Sequence, residues 1–177
     1  MKICVFCSAQ EIGPEYSEPS LQAVRLFASN GHGLIWGGSD TGLMKEVASA
    51  AQSQGVPIVG VSVEFLKDKA RVDADEMTVA KDLSQRKALM ISKSDAFLVL
   101  PGGLGTLDEV MEIIEYQKHM EVTKPVVFLN VNDFYKGISD QLQRMFNEGF
   151  ITKTLDQVAT FACDPEEAIS LLGAAGN

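Results

Sequence analysis

The residues with the clearest chemical potential lie at 101–109, in the sequence PGGLGTLDE. An apolar run at 96–100 precedes them and a helical pattern follows, which is typical of a buried strand, a glycine loop and a helix. Glycines let the backbone approach a ligand closely, and a helix start offers unpaired N–H groups at its positive dipole end. We therefore predict a phosphate-binding loop, with Glu109 facing the bound group from one turn into the helix.

Two roles are open for Glu109. Thr106 and Glu109 fit an S/T-x-x-E capping box, which stabilises a helix by about 1 kcal/mol and needs no catalysis. Arg86 and Lys87, on the preceding predicted helix, favour a catalytic role, because an arginine can hold a phosphate or steady a carboxylate with its planar fork. The two roles are compatible if Thr106 caps the helix while Glu109 turns to the ligand.

Other motifs argue against metal, redox and dinucleotide chemistry. Cys4 and Cys7 form a C-x-x-C, but residues i and i+3 of a strand point to opposite faces, so we expect buried structural cysteines. The glycine loop lacks the third glycine of a dinucleotide fingerprint, and the sequence has no Gly-Lys-Ser/Thr of a Walker A loop. Neither His32 nor His119 has a sequence partner that suggests a triad or a metal site. We expect no metal and no cofactor.

Composition narrows the class of protein. With 177 residues and 46% hydrophobic content, we expect one domain, residues 1–177, with a substantial core. The net charge of −9 argues against nucleic-acid and anionic-membrane partners, which need a basic face. No apolar run reaches the ~20 residues of a membrane helix, and the N-terminus leads directly into a strand without a signal-peptide pattern. Three cysteines fit the reducing cytoplasm, where we expect the protein.

Strand and helix patterns alternate along the chain, which predicts a parallel sheet with helices on both faces. Predicted strands lie at 2–7, 34–36, 57–61, 77–80, 96–100, 125–129 and 158–162. Predicted helices lie at 17–30, 43–54, 84–94, 106–119 and 132–148, with a last one opening at Asp164. Residues 62–80 are charged and lack a clear hydrophobic period, so we expect a loop or short helix over the sheet edge.

Three small-residue turns follow predicted strands, and ligands of such sheets bind at the carboxyl ends of strands, where the strand order reverses. The turns are Ser8-Ala9, Gly37-Gly38 and Gly102-Gly103. We expect Ser8 and Gly38 to join the glycine loop in one site.

These residues resemble the Lonely Guy family, the cytokinin riboside 5′-monophosphate phosphoribohydrolases, in its short single-domain form. Residues 101–109 match every fixed position of the family hallmark P-G-G-x-G-T-x-x-E. Arg86, Lys87 and Met90 match the upstream R-K-x-x-M element. Members have often been labelled lysine decarboxylases, but no lysine here lies in a recognisable pyridoxal-phosphate setting.

The resemblance implies a Rossmann-like three-layer α/β fold with about seven parallel strands. It implies hydrolysis of the N-glycosidic bond of a nucleoside 5′-monophosphate, AMP or N6-prenylated AMP, to free base and ribose 5-phosphate, as in cytokinin activation. It further implies that Arg86 and Glu109 are the catalytic pair and that the protein is a homodimer with its site near the subunit interface. The expected substrate-binding residues are Ser8, Gly38, Lys87, Met90, Gly102, Gly103, Leu104, Gly105, Thr106 and Glu115. The alternative is a non-catalytic nucleotide- or cofactor-binding protein of the same fold.

Departures from the family pattern affect the expected base pocket more than the phosphate loop. Ser39 and Lys45 stand where the family usually has glycines, and Glu115 stands where it has a threonine near the substrate. An acidic side chain at Glu115 would narrow or polarise the pocket for an isoprenoid chain.

Overall fold

Seven short strands form a single parallel sheet in the computed structural model, which describes residues 1–118 and 124–174. The sheet order is β4-β3-β2-β1-β5-β6-β7, and every neighbouring pair is parallel. The strands are β1 (Lys2–Phe6), β2 (Gly33–Trp36), β3 (Ile58–Val63), β4 (Glu76–Ala80), β5 (Ala96–Val99), β6 (Val126–Leu129) and β7 (Thr160–Ala162). The predicted α/β fold with about seven parallel strands is confirmed.

Helices cover both faces of the sheet and complete three layers. They are α1 (Pro14–Ser29), α2 (Gly42–Gln52), α3 (Leu83–Lys93), α4 (Leu104–Lys118), α5 (Lys136–Asn147), α6 (Leu155–Val158) and α7 (Pro165–Ala174). One apolar core unites the sheet with α1, α2 and α7, and the other unites it with α3, α4 and α5. Within the described ranges, no helix has the length and apolarity needed to cross a membrane.

Helix α4 begins two residues earlier than predicted. The Leu107 N–H donates to the Gly103 carbonyl at 3.1 Å, so Gly103 is the residue that opens the helix. Thr106 and Glu109 therefore both lie inside α4, and the capping-box interpretation is wrong. The predicted end of this helix at His119 lies outside the described residues.

Two further predicted boundaries change. The turn before α5 is a 3₁₀ helix, Val131–Asp133, and the left-handed backbone of Asn132 and Asp133 delays α5 until Lys136. The predicted last strand is shorter, because Val158 ends the short helix α6 instead.

The strand order reverses at β1, which lies between β2 and β5. The loops that follow β1 and β5 meet there, since the Ser8 N–H donates to the Pro101 carbonyl at 3.3 Å. This brings two of the three predicted turns together at the carboxyl edge of the sheet, where ligands of such folds bind.

Candidate active site

A cavity of about 430 Å³ opens at the carboxyl ends of β1, β2, β3 and β5. It brings together six of the predicted site residues, which are Ser8, Arg86, Gly103, Gly105, Thr106 and Glu109. The remaining walls come from the β1 and β2 loops, from the first residues after β3 and from the start of α3. Two of these residues carry buried charges, Arg86 and Glu109.

Arg86 and Glu109 form an ion pair in which Nη1 of Arg86 donates to Oε1 of Glu109. The two side chains are 11% and 8% exposed. Nε of Arg86 donates to the Val61 carbonyl at the end of β3, at 2.7 Å. Asp82 fixes the start of α3 by accepting from the Gln85 N–H at 2.8 Å, so Arg86 projects from the first turns of that helix. The guanidinium is thus anchored to the sheet and restrains the carboxylate.

The pKa of the Glu109 carboxyl is raised, because burial disfavours the charged form. The charge and the hydrogen bond of Arg86 lower the pKa and oppose part of that rise. The carboxylate is consequently desolvated and has one cationic partner. Such a carboxylate can stabilise positive charge that develops beside it.

The start of α4 is the second chemical feature of the cavity. Because Gly103 opens the helix, the amides of Leu104, Gly105 and Thr106 lie in its first turn, where N–H groups have no carbonyl partner within the helix. Amides in this position, at the positive end of the helix dipole, are suited to binding an anion. Thr106 is buried, and a Cβ at Gly102 would come within 2.7 Å of the Thr106 Cβ. Glycine at 102 therefore lets the loop pass Thr106.

Some predicted binding residues lie outside the walls of this cavity. Nζ of Lys87 contacts Asp108 Oδ2 at 3.0 Å and Glu112 Oε2 at 2.5 Å, so this lysine ties α3 to α4. Both carboxylates raise the pKa of Lys87, and Glu112 contributes more than Asp108. Partial burial of the lysine lowers the pKa and opposes part of this rise. Met90 is fully buried in the core on the same face.

The other four have different surroundings. Leu104 is 86% exposed and borders, with Gly102, a separate cavity next to α5. Gly38 has a left-handed backbone, with φ of 76°, and its carbonyl accepts from the Arg71 N–H at 2.8 Å. Glu115 is exposed on α4 and borders a cavity with Leu142 of α5.

Residues 64–71, here named the strap, lie where the sequence predicted a loop or short helix, but their place in the cavity wall was not predicted. Its 3₁₀ helix, Glu64–Lys69, follows β3, and the Lys69 carbonyl accepts from the Asp40 N–H at 2.8 Å. The Arg71 side chain contacts Asp40 at 3.1 Å and Asp73 at 2.7 Å. Phe65, Leu66 and Lys69 of the strap line the cavity. The one signal in the sequence was an apolar Phe-Leu pair in a charged segment directly after a buried strand.

Cysteine and metal chemistry find no support in the described part of the chain. Cys4 and Cys7 are buried free thiols, and burial raises the pKa of both, with a further contribution from Glu109. Among residues 1–118 and 124–174, no group of three histidine, cysteine or acidic side chains could hold a metal ion.

Comparison with known proteins reveals relatives along almost the whole chain. Residues 44–172 match the model of a family described as "Possible lysine decarboxylase". The cytokinin riboside 5′-monophosphate phosphoribohydrolase of Rhodococcoides fascians is 34% identical over 174 residues, covering 96% of this chain and 88% of the relative. Cytokinin riboside 5′-monophosphate phosphoribohydrolase LOG3 of Arabidopsis thaliana is 32% identical over 174 residues, covering 97% of this chain and 81% of the relative.

Solved structures share the fold at lower identity. The molybdenum cofactor binding protein of Rippkaea orientalis has a TM-score of 0.77 at 22% identity, covering 99% of this chain and 97% of that chain. The molybdenum cofactor carrier protein of Chlamydomonas reinhardtii has a TM-score of 0.75 at 19% identity, covering 98% of this chain and 96% of that chain. At these identities the likeness extends to the fold alone.

Proposed function

We propose that this chain, which belongs to the Lonely Guy family and is a hydrolase of that family, hydrolyses the N-glycosidic bond of AMP or N6-prenylated AMP. Water adds to C1′ of the ribose, the C1′–N bond breaks, and the base leaves with a proton. The products are free base and ribose 5-phosphate. Cytokinin activation is the proposed use of this reaction, since the relatives are named for cytokinin riboside 5′-monophosphates.

The observation that carries the proposal is the buried Arg86–Glu109 pair, which lies beside the start of α4 in one cavity. Breaking a glycosidic bond builds positive charge on the ribose. A fixed carboxylate next to the sugar interacts more strongly with that charge in the transition state than with the neutral ground state, and this difference is what accelerates a reaction.

Each element then has a role. The amides of Leu104, Gly105 and Thr106 bind the 5′-phosphate. Glu109 orients the ribose hydroxyls or the attacking water and offsets the oxocarbenium charge. Arg86 holds the Glu109 carboxylate in place. Lys87 supports this arrangement from the side by tying α3 to α4.

The sheet order supports an orientation for the base. The phosphate end lies over β5, and β3 is three strand spacings away, which is about 14 Å. A nucleotide laid along the cavity therefore places its base near the end of β3, against the strap. Phe65 and Leu66 of the strap and Leu83 of α3 line that region, and all three are exposed apolar side chains. This supports adenine with an apolar N6 substituent as the base.

We also retain the homodimer with a site near its interface as a proposal. Leu104 is 86% exposed at the start of α4, so a partner subunit that covered it would lie close to the phosphate end. Light scattering on the native protein would overturn this proposal if the mass were that of one chain at micromolar concentration.

The direct test uses Glu109→Gln and Arg86→Ala in the full chain, with release of free base from AMP and N6-prenylated AMP as the measurement. We expect Glu109→Gln to lower kcat on the order of a hundredfold or more, as loss of a fixed electrostatic group does. Its melting temperature should change little, because the amide keeps the shape and an acceptor. Arg86→Ala should lose activity and also stability, because it leaves Glu109 buried without its cation.

A matched control is Glu148→Gln, the same substitution in an exposed glutamate that pairs with an arginine, Arg144, at 2.7 Å, and it should leave base release near the wild-type rate. Near-wild-type rates in both Glu109→Gln and Arg86→Ala, with folding intact, would overturn the assignment. Wild-type protein that bound AMP and released no base would support the non-catalytic binding protein instead.

A further inference from the structure

Tyr135 lies beneath the glycine loop and contacts its backbone. The Tyr135 hydroxyl donates to the Leu100 carbonyl at 2.7 Å, and the residue is 2% exposed. The backbone amide of Gly102 interacts with the same hydroxyl. The hydroxyl is therefore hydrogen-bonded to the carbonyl that precedes Pro101 and lies close to the amide that follows it, immediately before the amides at the start of α4.

The tyrosine is itself held firmly. Its N–H donates to Oδ1 of Asn130 at 2.6 Å, directly after β6. Its ring packs edge-on against Phe128 of β6 and against Phe134, with centroid distances of 4.9 and 4.8 Å. The hydroxyl is thus fixed relative to the sheet, which a surface tyrosine would not be.

The loop has few other supports on this side. Gly102 and Gly103 border a cavity of about 410 Å³, whose walls include Phe134, Tyr135 and Ile138. On the opposite side, the Ser8 N–H donates to the Pro101 carbonyl at 3.3 Å. A loop between an open cavity and one long hydrogen bond can shift unless another group restrains it. Burial raises the pKa of the Tyr135 hydroxyl, so it keeps its proton and its donor role.

We propose that Tyr135 is a positioning residue for phosphate binding, whose hydroxyl fixes the backbone at Leu100 and Gly102 and thereby orients the amides of the α4 start toward the substrate's phosphate. The inference rests on the proposed function in one respect, that the phosphate occupies the start of α4. It assigns a role to a residue that reaches the site from α5, outside both sequence motifs.

The test is Tyr135→Phe in the full chain, with calorimetric titration of ribose 5-phosphate and of adenosine. A lost hydrogen bond of about 1 kcal/mol corresponds to a change on the order of fivefold to tenfold. We expect binding of ribose 5-phosphate to weaken by that factor while binding of adenosine, which has no phosphate, stays the same. In the base-release assay, KM for AMP should rise by the same factor with kcat within about twofold, the pattern for lost uniform binding.

Tyr16→Phe is the matched control, because the Tyr16 ring packs on Phe134 in the same aromatic cluster, at 5.4 Å between centroids, and belongs to α1. It should leave both affinities unchanged. Unchanged ribose 5-phosphate binding in Tyr135→Phe, or an equal loss for adenosine, would overturn the positioning role.

A second measurement needs no ligand. Amide hydrogen exchange at Gly102 and Gly103 should be faster in Tyr135→Phe than in the wild-type protein, and equal exchange in the two proteins would also overturn the proposal. The titrations do not depend on catalysis. A phosphate-specific loss in Tyr135→Phe would therefore support this inference even if wild-type protein released no base.

Discussion

At the scale of single residues, the site depends on a carboxylate that is charged and buried at once. Removing Glu109 from water disfavours its ionised form, and Arg86 offsets that cost only in part, so the pKa of Glu109 stays raised. A buried pair of this kind is poor evidence for stability, because desolvation can exceed the Coulombic gain. We infer that Arg86 and Glu109 are paired for geometry and charge in the site rather than for folding.

This raised pKa predicts the acidic side of the pH profile. If ionised Glu109 is the reactive form, kcat/KM falls as the pH drops through the raised pKa of Glu109. Well below that pKa, kcat/KM falls tenfold for each pH unit. The fall should begin at a higher pH than for an ordinary glutamate. In Arg86→Gln the opposing cation is lost, so the pKa rises further and the acidic limb moves to still higher pH. The measurement is kcat/KM for AMP against pH in both proteins.

Ionisation of the substrate phosphate is common to both proteins, so the difference between their profiles reports Glu109. An acidic limb that stayed in place, or moved to lower pH, in Arg86→Gln would contradict the assignment. The corresponding effect on stability has a definite sign. Because the folded protein binds this proton more tightly than the unfolded chain, ionised Glu109 destabilises the fold above its folded-state pKa, and that penalty is relieved as pH falls through it.

At the scale of elements, the start of α4 decides which groups can meet a phosphate. A helix that began at 106 would have used Thr106 as a cap and Glu109 as its reciprocal partner. The helix begins at Leu104 instead, so Gly105 and Thr106 lie within its first turn, where amides have no carbonyl partner within the helix. The same shift leaves Glu109 free of any capping role and available to Arg86.

Gly105→Ala separates the helical role of this residue from its binding role. A Cβ at Gly105 would meet no atom of the described residues within 4 Å, so alanine should fit and stabilise the helix by about 0.5 kcal/mol. The same Cβ would project where a phosphate approaches the backbone. We expect unfolding by denaturant to show equal or greater stability, and the KM for AMP to rise severalfold.

Gly173→Ala supplies the control, because a Cβ at Gly173 in α7 also meets no atom within 4 Å and that helix lies far from the cavity along the chain. It should gain similar stability without a change in KM. If Gly105→Ala bound AMP as well as the wild type, the phosphate would have to lie elsewhere.

At the scale of the whole molecule, the sequence predicted what depends on local pattern. Each buried strand is a short apolar run, and the pairing of Arg86 with Glu109 followed from two motifs that lie 23 residues apart. The helix start at Leu104 was mispredicted, because Gly-Leu-Gly carries weak helical propensity and Thr106 imitates a cap. The contact of the loop with Ser8, through the Pro101 carbonyl, outweighs helical propensity at this position.

Contacts between distant segments that no motif marks could not be predicted. Tyr135 meets Leu100 across 35 residues, and only the sheet order brings α5 beneath the glycine loop. The strap was unreadable because it is held by backbone hydrogen bonds to the β2 loop and by the ion pairs of Arg71 rather than by an apolar period. Met90 matched a functional motif but lies in the core. Its size and apolarity fill space there, which explains a methionine at this position without a role in the site.

The proposed direction of the nucleotide along the sheet gives a test of base recognition. With the phosphate over β5 and the base near the end of β3, the exposed ring of Phe65 is available to contact the base or its N6 substituent. Phe65→Ala should therefore reduce kcat/KM for N6-prenylated AMP by about tenfold and for AMP by less, since a buried aliphatic group contributes in proportion to its area. Base release from both nucleotides is the measurement.

Val72→Ala tests whether the loss is specific to the cavity, because Val72 is 99% exposed just beyond the strap and is absent from the walls of the cavity. It should leave both rates unchanged. The folding cost of Phe65→Ala should be small, because the ring is 67% exposed in the unliganded protein. Equal losses for AMP and N6-prenylated AMP would place the substituent elsewhere, and no loss for either would reverse the proposed direction of the nucleotide along the sheet.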